Sequence, residues 1–220
     1  MPIGKRSGLD MHDFVFLRHA ESEGNAQGYL QGQIDSPLSE RGISQAAALA
    51  ERWKALGVTF DHLICSPLLR ARQTASPIAE ALGMEIEIEP LLAERSFGEL
   101  EGRAFIDINQ VQPPIDFSAP FVRVGETGES QVDLYLRACQ VLQKLVNLPQ
   151  GRYLIVAHGS ILNKTMFAIL GITPQGHGRS PTFHFDNLSY AHLTYDVASL
   201  RWRWIGFTSP EQWDGRLEVK

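Results

Sequence analysis

Three short apolar runs constrain the fold of this 220-residue chain most strongly. Each run ends at a polar residue and is followed by a helical pattern. The runs lie at residues 14–17, 62–65 and 153–157. Strands that alternate with helices are typical of a parallel sheet covered on both faces. The sequence therefore predicts an α/β fold, a three-layer α/β/α sandwich with a mostly parallel central sheet.

Capping residues indicate where the predicted helices begin and end. Ser39 and Ser130 each precede an apolar helical period and are suited to the N-cap position. Ser66 and Pro67 predict a cap and a first helical residue after the second strand. Glycines suited to end helices follow at Gly57, Gly83 and Gly171. Further strands are expected at residues 85–89, 190–195 and 200–207, the last two as a hairpin.

The region from residue 92 to residue 129 has no sustained period and contains several prolines. It is too long to be a plain connector in a compact domain, so we expect a functional loop. A chain of this length can bury one substantial core. We expect a single domain over residues 1–220, with a lid-like insertion at about 102–129.

Charge and composition argue against several classes of function. A net charge of −5, with both signs spread along the chain, disfavours general binding to nucleic acid or to an anionic membrane. Residues 201–204 (RWRW) fit a strand with its tryptophans inward better than a nucleic-acid patch. No apolar run approaches membrane-spanning length, and residues 1–13 lack the apolar core of a secretory signal. We expect a cytoplasmic protein.

Neither the cysteines nor the histidines are spaced as metal ligands. Cys65 and Cys139 have no CxxC partner and are expected to be free thiols. The histidines that do not follow an apolar run show no HExxH spacing; they are His12, His62, His177, His184 and His192. The sequence therefore predicts no metal and no cofactor.

Polar residues of matching chemistry follow all three apolar runs. Arg18 and His19 come directly after the first, Arg70 lies just inside the helix after the second, and His158 follows the third. Because the carboxyl ends of parallel strands meet at one edge of a sheet, these side chains should converge. The set suits phosphoryl transfer, since arginine matches phosphate oxygens and a neutral imidazole can attack phosphorus.

A site of this kind also needs a group that moves a proton. The neighbouring arginines should keep His19 unprotonated and therefore nucleophilic. A carboxyl group could then protonate the leaving alkoxide and later activate water. Glu94, Glu99 and Glu101 all lie at the start of the irregular region, and sequence alone does not choose among them.

A series of motifs resembles those of the histidine phosphatase superfamily, in its phosphoglycerate-mutase-like branch. Residues 18–25 (RHAESEGN) correspond to a family motif that reads roughly Arg-His-Gly-Glu-Thr-x-x-Asn. Later family motifs are matched, in order, by residues 31–42 (QGQIDSPLSERG), 66–74 (SPLLRARQT), 94–102 (ERSFGELEG), 128–130 (GES) and 158–159 (HG). The resemblance spans most of the chain, with Ala20 standing where glycine is usual.

The resemblance implies a role for each matching residue. The implied catalytic residues are His19 as the phosphorylated nucleophile, Glu94 as the proton donor, and Arg18, Arg70 and His158 as ligands of the phosphoryl group. Further contacts on the substrate side are implied for Asn25, Gln31 and Gly159. The resemblance also implies a phosphoglycerate-mutase-like sandwich as the fold.

The residues between Gly102 and Gly125 bear on the type of reaction. Only two of them are basic, and the paired-arginine block of cofactor-dependent mutases is absent. The mutase-type tyrosine after the glutamate motif is also absent, with Ser96 and Phe97 in its place. We therefore expect a phosphomonoester hydrolase that acts on a small phosphorylated metabolite.

Two other functions stay open at this stage. One is a cofactor-dependent phosphoglycerate-mutase-type phosphotransferase, which would pass the phosphoryl group to a second substrate hydroxyl instead of water. The other is a catalytically weak module that binds a phosphorylated ligand or signals through one. The sequence leaves the oligomeric state open, with a homodimer as one option.

Overall fold

The three apolar runs of the sequence form adjacent strands in the middle of one six-stranded sheet. The computed structural model describes residues 11–176 and 180–209. The strands are β1 (Met11–Arg18), β2 (His62–Cys65), β3 (Ile86–Ile88), β4 (Arg152–Ala157), β5 (Tyr190–Asp196) and β6 (Arg201–Thr208). Their order is β3-β2-β4-β1-β5-β6, and the first four are parallel. The predicted, mostly parallel sheet is confirmed, and β5 and β6 form the expected antiparallel hairpin.

Helices cover both faces of this sheet. They are α1 (Glu23–Gln27), α2 (Glu40–Ala55), α3 (Leu69–Leu82), α4 (Phe105–Ile108), α5 (Gln131–Val146) and α6 (Gly159–Leu170). One core joins α2 and α3 to the sheet through buried residues such as Trp53 and Ile78. A second core joins α5 and α6 to the opposite face through Leu134 and Met166. The three-layer α/β/α sandwich is therefore confirmed.

Local capping chemistry accounts for most helix ends. Ser39 accepts a hydrogen bond from the Gly42 N–H at the start of α2, and Ser130 caps α5, as predicted. Gly83 and Gly171 adopt the left-handed conformation directly after α3 and α6, where a residue without Cβ is favoured. These ends were predictable because each cap lies next to the helix that it terminates.

The start of α3 differs from the prediction. The helix begins at Leu69, and the residue before it, Leu68, provides no side-chain cap. Ser66 follows β2, and its Oγ lies 2.7 Å from Nε2 of His158. Pro67 therefore lies in the turn before α3 instead of its first helical position. The Ser66 hydroxyl, which was predicted to cap α3, instead contacts His158, the residue after β4.

A short helix that the sequence did not predict lies close to β1. Ser22 and Asn25 form a capping box at the start of α1, in which each side chain bonds the other residue's backbone N–H. Gly28, with φ +72°, ends the helix in the left-handed conformation. The loop that follows β1 is therefore ordered by its own polar side chains.

The irregular region after β3 packs on a small core of its own. It contains two 3-10 turns, Pro90–Leu92 and Gly98–Leu100, as well as α4. The core residues are Leu30, Phe97, Leu100, Ile108 and Val124. Glycine is required at position 98 (φ +54°), where two loop segments cross. A Cβ there would lie 2.2 Å from the Gly125 carbonyl oxygen. The region is thus fixed by contacts between residues far apart in sequence.

One of the two tryptophans of β6 packs inward, as predicted. Trp202 contacts Phe14 and Tyr195, with ring centroids 5.5 and 4.9 Å apart. Trp204 pairs with Leu193 on β5 but is 43% exposed, because β6 is an edge strand. The RWRW sequence is therefore part of the sheet.

Candidate active site

The ends of β1, β2 and β4 bring the predicted polar residues together. These strands are parallel, so their carboxyl ends share one edge of the sheet. The His19 N–H donates to the Ala157 carbonyl oxygen at 2.9 Å, which places the residue after β1 beside the end of β4. The rings of His19 and His158 lie 5.0 Å apart, centroid to centroid.

His19 is held as a neutral imidazole with one nitrogen available. The residue is 3% exposed, and its Nδ1 lies 2.6 Å from the Ala20 carbonyl oxygen. A carbonyl oxygen can only accept, so Nδ1 carries the proton and Nε2 keeps its lone pair. Burial, followed by the charges of Arg18 and Arg70, holds the pKa of His19 well below its usual value. The Nε2 atom is therefore suited to nucleophilic attack.

His158 is held as a hydrogen-bond donor toward the same edge. It is fully buried, and Ser66 Oγ lies 2.7 Å from its Nε2. Ser66 Oγ also accepts from the Leu68 N–H. A Ser66 hydroxyl that donates to Nε2 would leave the histidine proton on Nδ1, which has no partner among the described residues. Burial and the charge of Arg70 hold the pKa of His158 well below its usual value.

Two arginines are fixed at the site by backbone carbonyl groups. Arg70 is 1% exposed and donates to the carbonyl oxygens of Ile34 (2.9 Å) and Gly32 (2.7 Å). Arg18 donates through Nη1 to the Phe185 carbonyl oxygen. Burial lowers the pKa of both guanidinium groups, but arginine remains a cation in proteins. The site therefore holds two positive charges with restricted geometry.

Three buried nitrogen atoms of this cluster lack a hydrogen-bond partner within the described residues. They are Nε of Arg18, Nε of Arg70 and Nδ1 of His158. Gly159 leaves space beside the first of them, since a Cβ at that position would lie 3.7 Å from Arg18 Nε. Buried polar atoms without partners are rare in folded proteins. Three such nitrogen atoms on neighbouring side chains indicate a site for an anion with several oxygens.

Glu94 lies at the start of α6. Its Oε1 accepts from the N–H groups of Arg95 (2.7 Å) and Ile161 (3.2 Å), and both carboxylate oxygens accept from the Ser160 N–H. Since α6 begins directly after His158, the carboxylate adjoins the cluster of cations and histidines. The Glu94 carboxylate therefore lies beside the predicted phosphate site.

The two other candidate carboxylates are used elsewhere. Glu99 accepts from Thr127 Oγ1 at 2.9 Å. Glu101 accepts from the Phe97 N–H at 2.9 Å and from Ser96 Oγ at 3.3 Å. Both hold the irregular region together, whereas Glu94 is the one of the three that binds the start of α6, directly after His158.

Asn25 and Gln31, the predicted substrate contacts, lie at this site, and each side chain already makes a hydrogen-bond contact within the protein. Ser22 Oγ lies 2.8 Å from Asn25 Oδ1 and 2.7 Å from Gln31 Oε1. Asn187, which the sequence gave no reason to single out, donates to the His19 carbonyl oxygen at 2.9 Å and to Asn25 Oδ1 at 3.2 Å. These amides therefore link α1 to the backbone of His19.

Arg137 anchors the backbone around Glu94 to α5. Its guanidinium donates to both carboxylate oxygens of Glu129 (2.8 and 2.7 Å) and to the Glu94 carbonyl oxygen (3.1 Å). It also donates to the carbonyl oxygens of Leu91 and Ala93. The only signal in the sequence was the family-like motif at residues 128–130, which includes Glu129 but not its partner.

Two adjoining cavities open at this edge of the sheet. The histidine cavity, of about 390 Å³, is lined by residues that include His19, Asn25, Gln31, Arg70, Phe97, Phe105 and Phe117. The lysine cavity, of about 430 Å³, is lined by residues that include Gln131, Asn163, Lys164 and Phe183. Residues that line both are Arg18, Glu94, Arg95 and Ser160. Glu94 therefore lies at the junction of the two.

Metal and membrane features are not found in the part of the chain that the structure describes. Residues 11–176 and 180–209 contain no group of three or more metal-ligating side chains, and His177 lies outside them. None of their helices has the length and apolar character needed to cross a bilayer. Cys65 and Cys139 are free, as predicted, and burial raises the pKa of the Cys65 thiol to about 12.

Comparisons with known proteins agree with this geometry. The family profile described as "Histidine phosphatase superfamily (branch 1)" matches residues 14–208. The chain is 35% identical over 191 residues to a protein named probable phosphoglycerate mutase GpmB of Enterobacter sp. (strain 638), with 84% of this chain and 86% of that protein covered.

Two solved structures are also similar to the chain. A mycobacterial glucosyl-3-phosphoglycerate phosphatase superposes with a TM-score of 0.71 at 27% identity, covering 89% of this chain and 97% of the other. The phosphoserine phosphatase of Entamoeba histolytica in complex with 3-phosphoglyceric acid has a TM-score of 0.73 at 26% identity, covering 90% and 97%. The similarity therefore includes nearly the whole fold.

Proposed function

We propose that this chain, which belongs to branch 1 of the histidine phosphatase superfamily, is a phosphomonoester hydrolase that forms a phosphohistidine on His19. The observation that carries the proposal is the cluster of unpaired buried donors on Arg18, Arg70 and His158. They surround a neutral imidazole whose Nε2 is free to attack. A phosphoryl group offers the three oxygens that such donors require.

In the first step, Nε2 of His19 attacks phosphorus and the bond from phosphorus to the leaving oxygen breaks. Arg18, Arg70 and the Nδ1 proton of His158 stabilise the charge on the equatorial oxygens. Glu94, entering the step protonated, transfers its proton to the leaving alkoxide. The products are an alcohol, a phosphohistidine and a Glu94 carboxylate held by the N–H groups at the start of α6.

In the second step, water replaces the alcohol. The Glu94 carboxylate accepts a proton from water, whose oxygen attacks phosphorus while the bond from phosphorus to His19 Nε2 breaks. Inorganic phosphate leaves, the imidazole is neutral again, and Glu94 holds the proton for the next cycle. The enzyme is thereby back in its starting state, with a proton from water on Glu94, and the net reaction is hydrolysis of the ester.

The lining of the histidine cavity favours hydrolysis over mutase chemistry. A mutase must also bind a second phosphate, which calls for further cations. Arg95 lines this cavity, but its guanidinium already donates to the carbonyl oxygens of Glu129 and Phe117. Neither Arg103 nor Arg123 lines it, and Arg123 pairs with Asp133 at 3.5 Å. Phe105 and Phe117 from the same region line it instead. We take residues 102–129 to be a lid-like insertion over the phosphate site.

Similar proteins support a small phosphorylated metabolite as the substrate. The two similar structures bear the names of a glucosyl-3-phosphoglycerate phosphatase and a phosphoserine phosphatase, the latter with 3-phosphoglyceric acid bound. The name of the curated relative favours phosphoglycerate mutase activity as a second candidate function. Both candidates use the same phosphohistidine and differ in the acceptor of the phosphoryl group.

A panel of phosphomonoesters tests the proposal. Phosphate release is measured for the wild type and for His19→Ala with phosphoserine, 3-phosphoglycerate and glycerol 3-phosphate. We expect release by the wild type and its loss in His19→Ala. Interconversion of 2- and 3-phosphoglycerate that depends on 2,3-bisphosphoglycerate and outpaces hydrolysis would show a mutase. Tight binding of these compounds without any turnover would show a binding module.

A further inference from the structure

Lys164 is a mostly buried cation in the middle of α6, between Asn163 and Thr165. The residue is 7% exposed, and its ammonium lies 4.0 Å from the centroid of the Phe167 ring. Within residues 11–176 and 180–209, no carboxylate pairs with the ammonium, and the only charge that shifts its pKa is that of Arg95. The Lys164 side chain lines the lysine cavity, so a ligand in that cavity could supply the missing anionic partner.

Lys164 and Glu94 line the same cavity. Lys164 lines the lysine cavity, which adjoins the histidine cavity at Glu94. It follows Ser160 by one turn of α6, a rise of about 6 Å. Side chains on a helix lean toward its N-terminus, which here carries the Ser160 N–H that holds Glu94.

The other polar groups of the lysine cavity leave Lys164 available. Arg95 is already committed, since it donates to the carbonyl oxygens of Glu129 and Phe117. Oε1 of Gln131 is buried in the cavity wall without a partner among the described residues. Burial, followed by the positive charge of Arg95, lowers the pKa of Lys164 to about 8. A bound anion would pair with the ammonium and so offset both its burial and its repulsion by Arg95.

We propose that Lys164 forms a subsite for a carboxylate on the leaving-group part of the substrate, so that the preferred substrates are phosphate esters of hydroxy acids. This inference rests on the proposed function and deepens it. A single ammonium is a point charge and matches the one charge of a carboxylate. The phosphoryl group, which carries more charge, meets the two guanidinium groups of Arg18 and Arg70 instead.

A matched pair of substrates isolates the subsite. Glycerol 3-phosphate and 3-phosphoglycerate differ only in a hydroxymethyl group that is replaced by a carboxylate. Lys164→Met keeps an unbranched stem against Phe167 but removes the charge. We expect it to lower the ratio of kcat/KM for 3-phosphoglycerate to that for glycerol 3-phosphate by about tenfold or more, as for a lost hydrogen bond to a charged group.

Two further variants serve as controls. Lys144→Met removes a lysine that is paired with Glu89 on the exposed side of α5, and we expect the ratio to stay at its wild-type value. Lys164→Arg retains a cation and should restore part of the preference. Lys164→Met should also unfold at a temperature no lower than the wild type. An unchanged ratio, or equal losses for both substrates with a lower unfolding temperature, would overturn the subsite.

Binding separates failure of the subsite from failure of the proposed function. His19→Ala and His19→Ala/Lys164→Met are titrated calorimetrically with both compounds, so no turnover is needed. We expect tighter binding of 3-phosphoglycerate than of glycerol 3-phosphate by the first variant and loss of that preference in the second. If the wild type hydrolyses neither compound, the hydrolase proposal fails, while this preference still decides the subsite. Equal preference in both variants would refute it.

Discussion

At the residue level, the chemistry depends on which nitrogen of each histidine carries a proton. The Ala20 carbonyl oxygen fixes the proton of His19 on Nδ1. In the proposed mechanism the Ser66 hydroxyl donates to Nε2 of His158, which places the proton of that ring on Nδ1. The convergence of Arg18, His19, Arg70 and His158 was predictable, because strand ends show where side chains meet. Ser66 was assigned the wrong role, since a cap and a ligand to a distant histidine look alike in sequence.

Replacing Ser66 tests how His158 is oriented. Ser66→Ala leaves His158 Nε2 without its proton donor, so the ring can turn its unprotonated nitrogen toward the phosphoryl group. We expect kcat/KM for phosphomonoesters to fall about tenfold, equivalent to about 1.4 kcal/mol.

The controls for this variant lie in the same chain. Ser66→Thr keeps the hydroxyl and should retain most of the activity. Ser44→Ala removes an exposed hydroxyl that donates only to the Glu40 carbonyl oxygen within α2, and it should have no effect. Full activity in Ser66→Ala would show that the hydroxyl does not orient the histidine.

At the level of the elements, α5 and α6 together determine where Glu94 lies. The start of α6 binds the carboxylate, and Arg137 on α5 binds the backbone of the same residue. Both helices were predicted from local caps and periodicity. The contact between them and Glu94 was not, because it joins residues more than forty positions apart. The same holds for Glu99 and Glu101, whose structural roles come from long-range hydrogen bonds.

Removing the guanidinium of Arg137 should loosen this arrangement. Arg137→Met leaves the partly buried Glu129 carboxylate unpaired and frees three backbone carbonyl groups. We expect a loss of roughly 2–3 kcal/mol in the free energy of unfolding, measured with urea, and a lower kcat in the folded protein.

A second ion pair provides the comparison for Arg137→Met. Arg123 pairs with Asp133 at 3.5 Å, and its side chain is 62% exposed. Arg123→Met should cost under about 1 kcal/mol, as is usual for exposed pairs. Equal effects of the two substitutions on stability and kcat would mean that Arg137 does not anchor Glu94.

At the level of the whole molecule, the sheet order brings cations and neutral histidines into one buried region. The sequence predicted a mostly parallel sheet but not the order β3-β2-β4-β1-β5-β6, which depends on pairing between distant strands. Burial lowers the pKa of His12 within β1 and, together with the arginine charges, of His19 and His158. In the folded protein these three histidines therefore take up protons only at a lower pH than in the unfolded chain.

Acid should consequently destabilise the free protein. Below pH 6.5, the ordinary histidine pKa, the unfolded chain takes up protons that the folded chain refuses until the lowered pKa values are reached. The free energy of unfolding should fall with pH by up to about 1.4 kcal/mol per unit for each buried histidine. Urea unfolding between pH 7.5 and 5 measures this slope.

A variant distant from the active site checks the cause of the slope. His12→Phe replaces a buried ring that stacks on Phe14 and does not line either cavity. It should make the slope shallower by the contribution of one histidine and leave activity at pH 7.5 unchanged. A slope identical to that of the wild type would show that His12 does not contribute.

Trapping the enzyme during turnover tests most directly whether His19 becomes phosphorylated. Wild-type protein is mixed rapidly with phosphoserine or 3-phosphoglycerate, quenched in base, and mapped by mass spectrometry of its peptides. We expect an acid-labile, base-stable phosphoryl group on His19 of the wild type. We expect neither this group nor phosphate release in His19→Ala. Turnover in which His19 never carries phosphate, or undiminished turnover in His19→Ala, would contradict it.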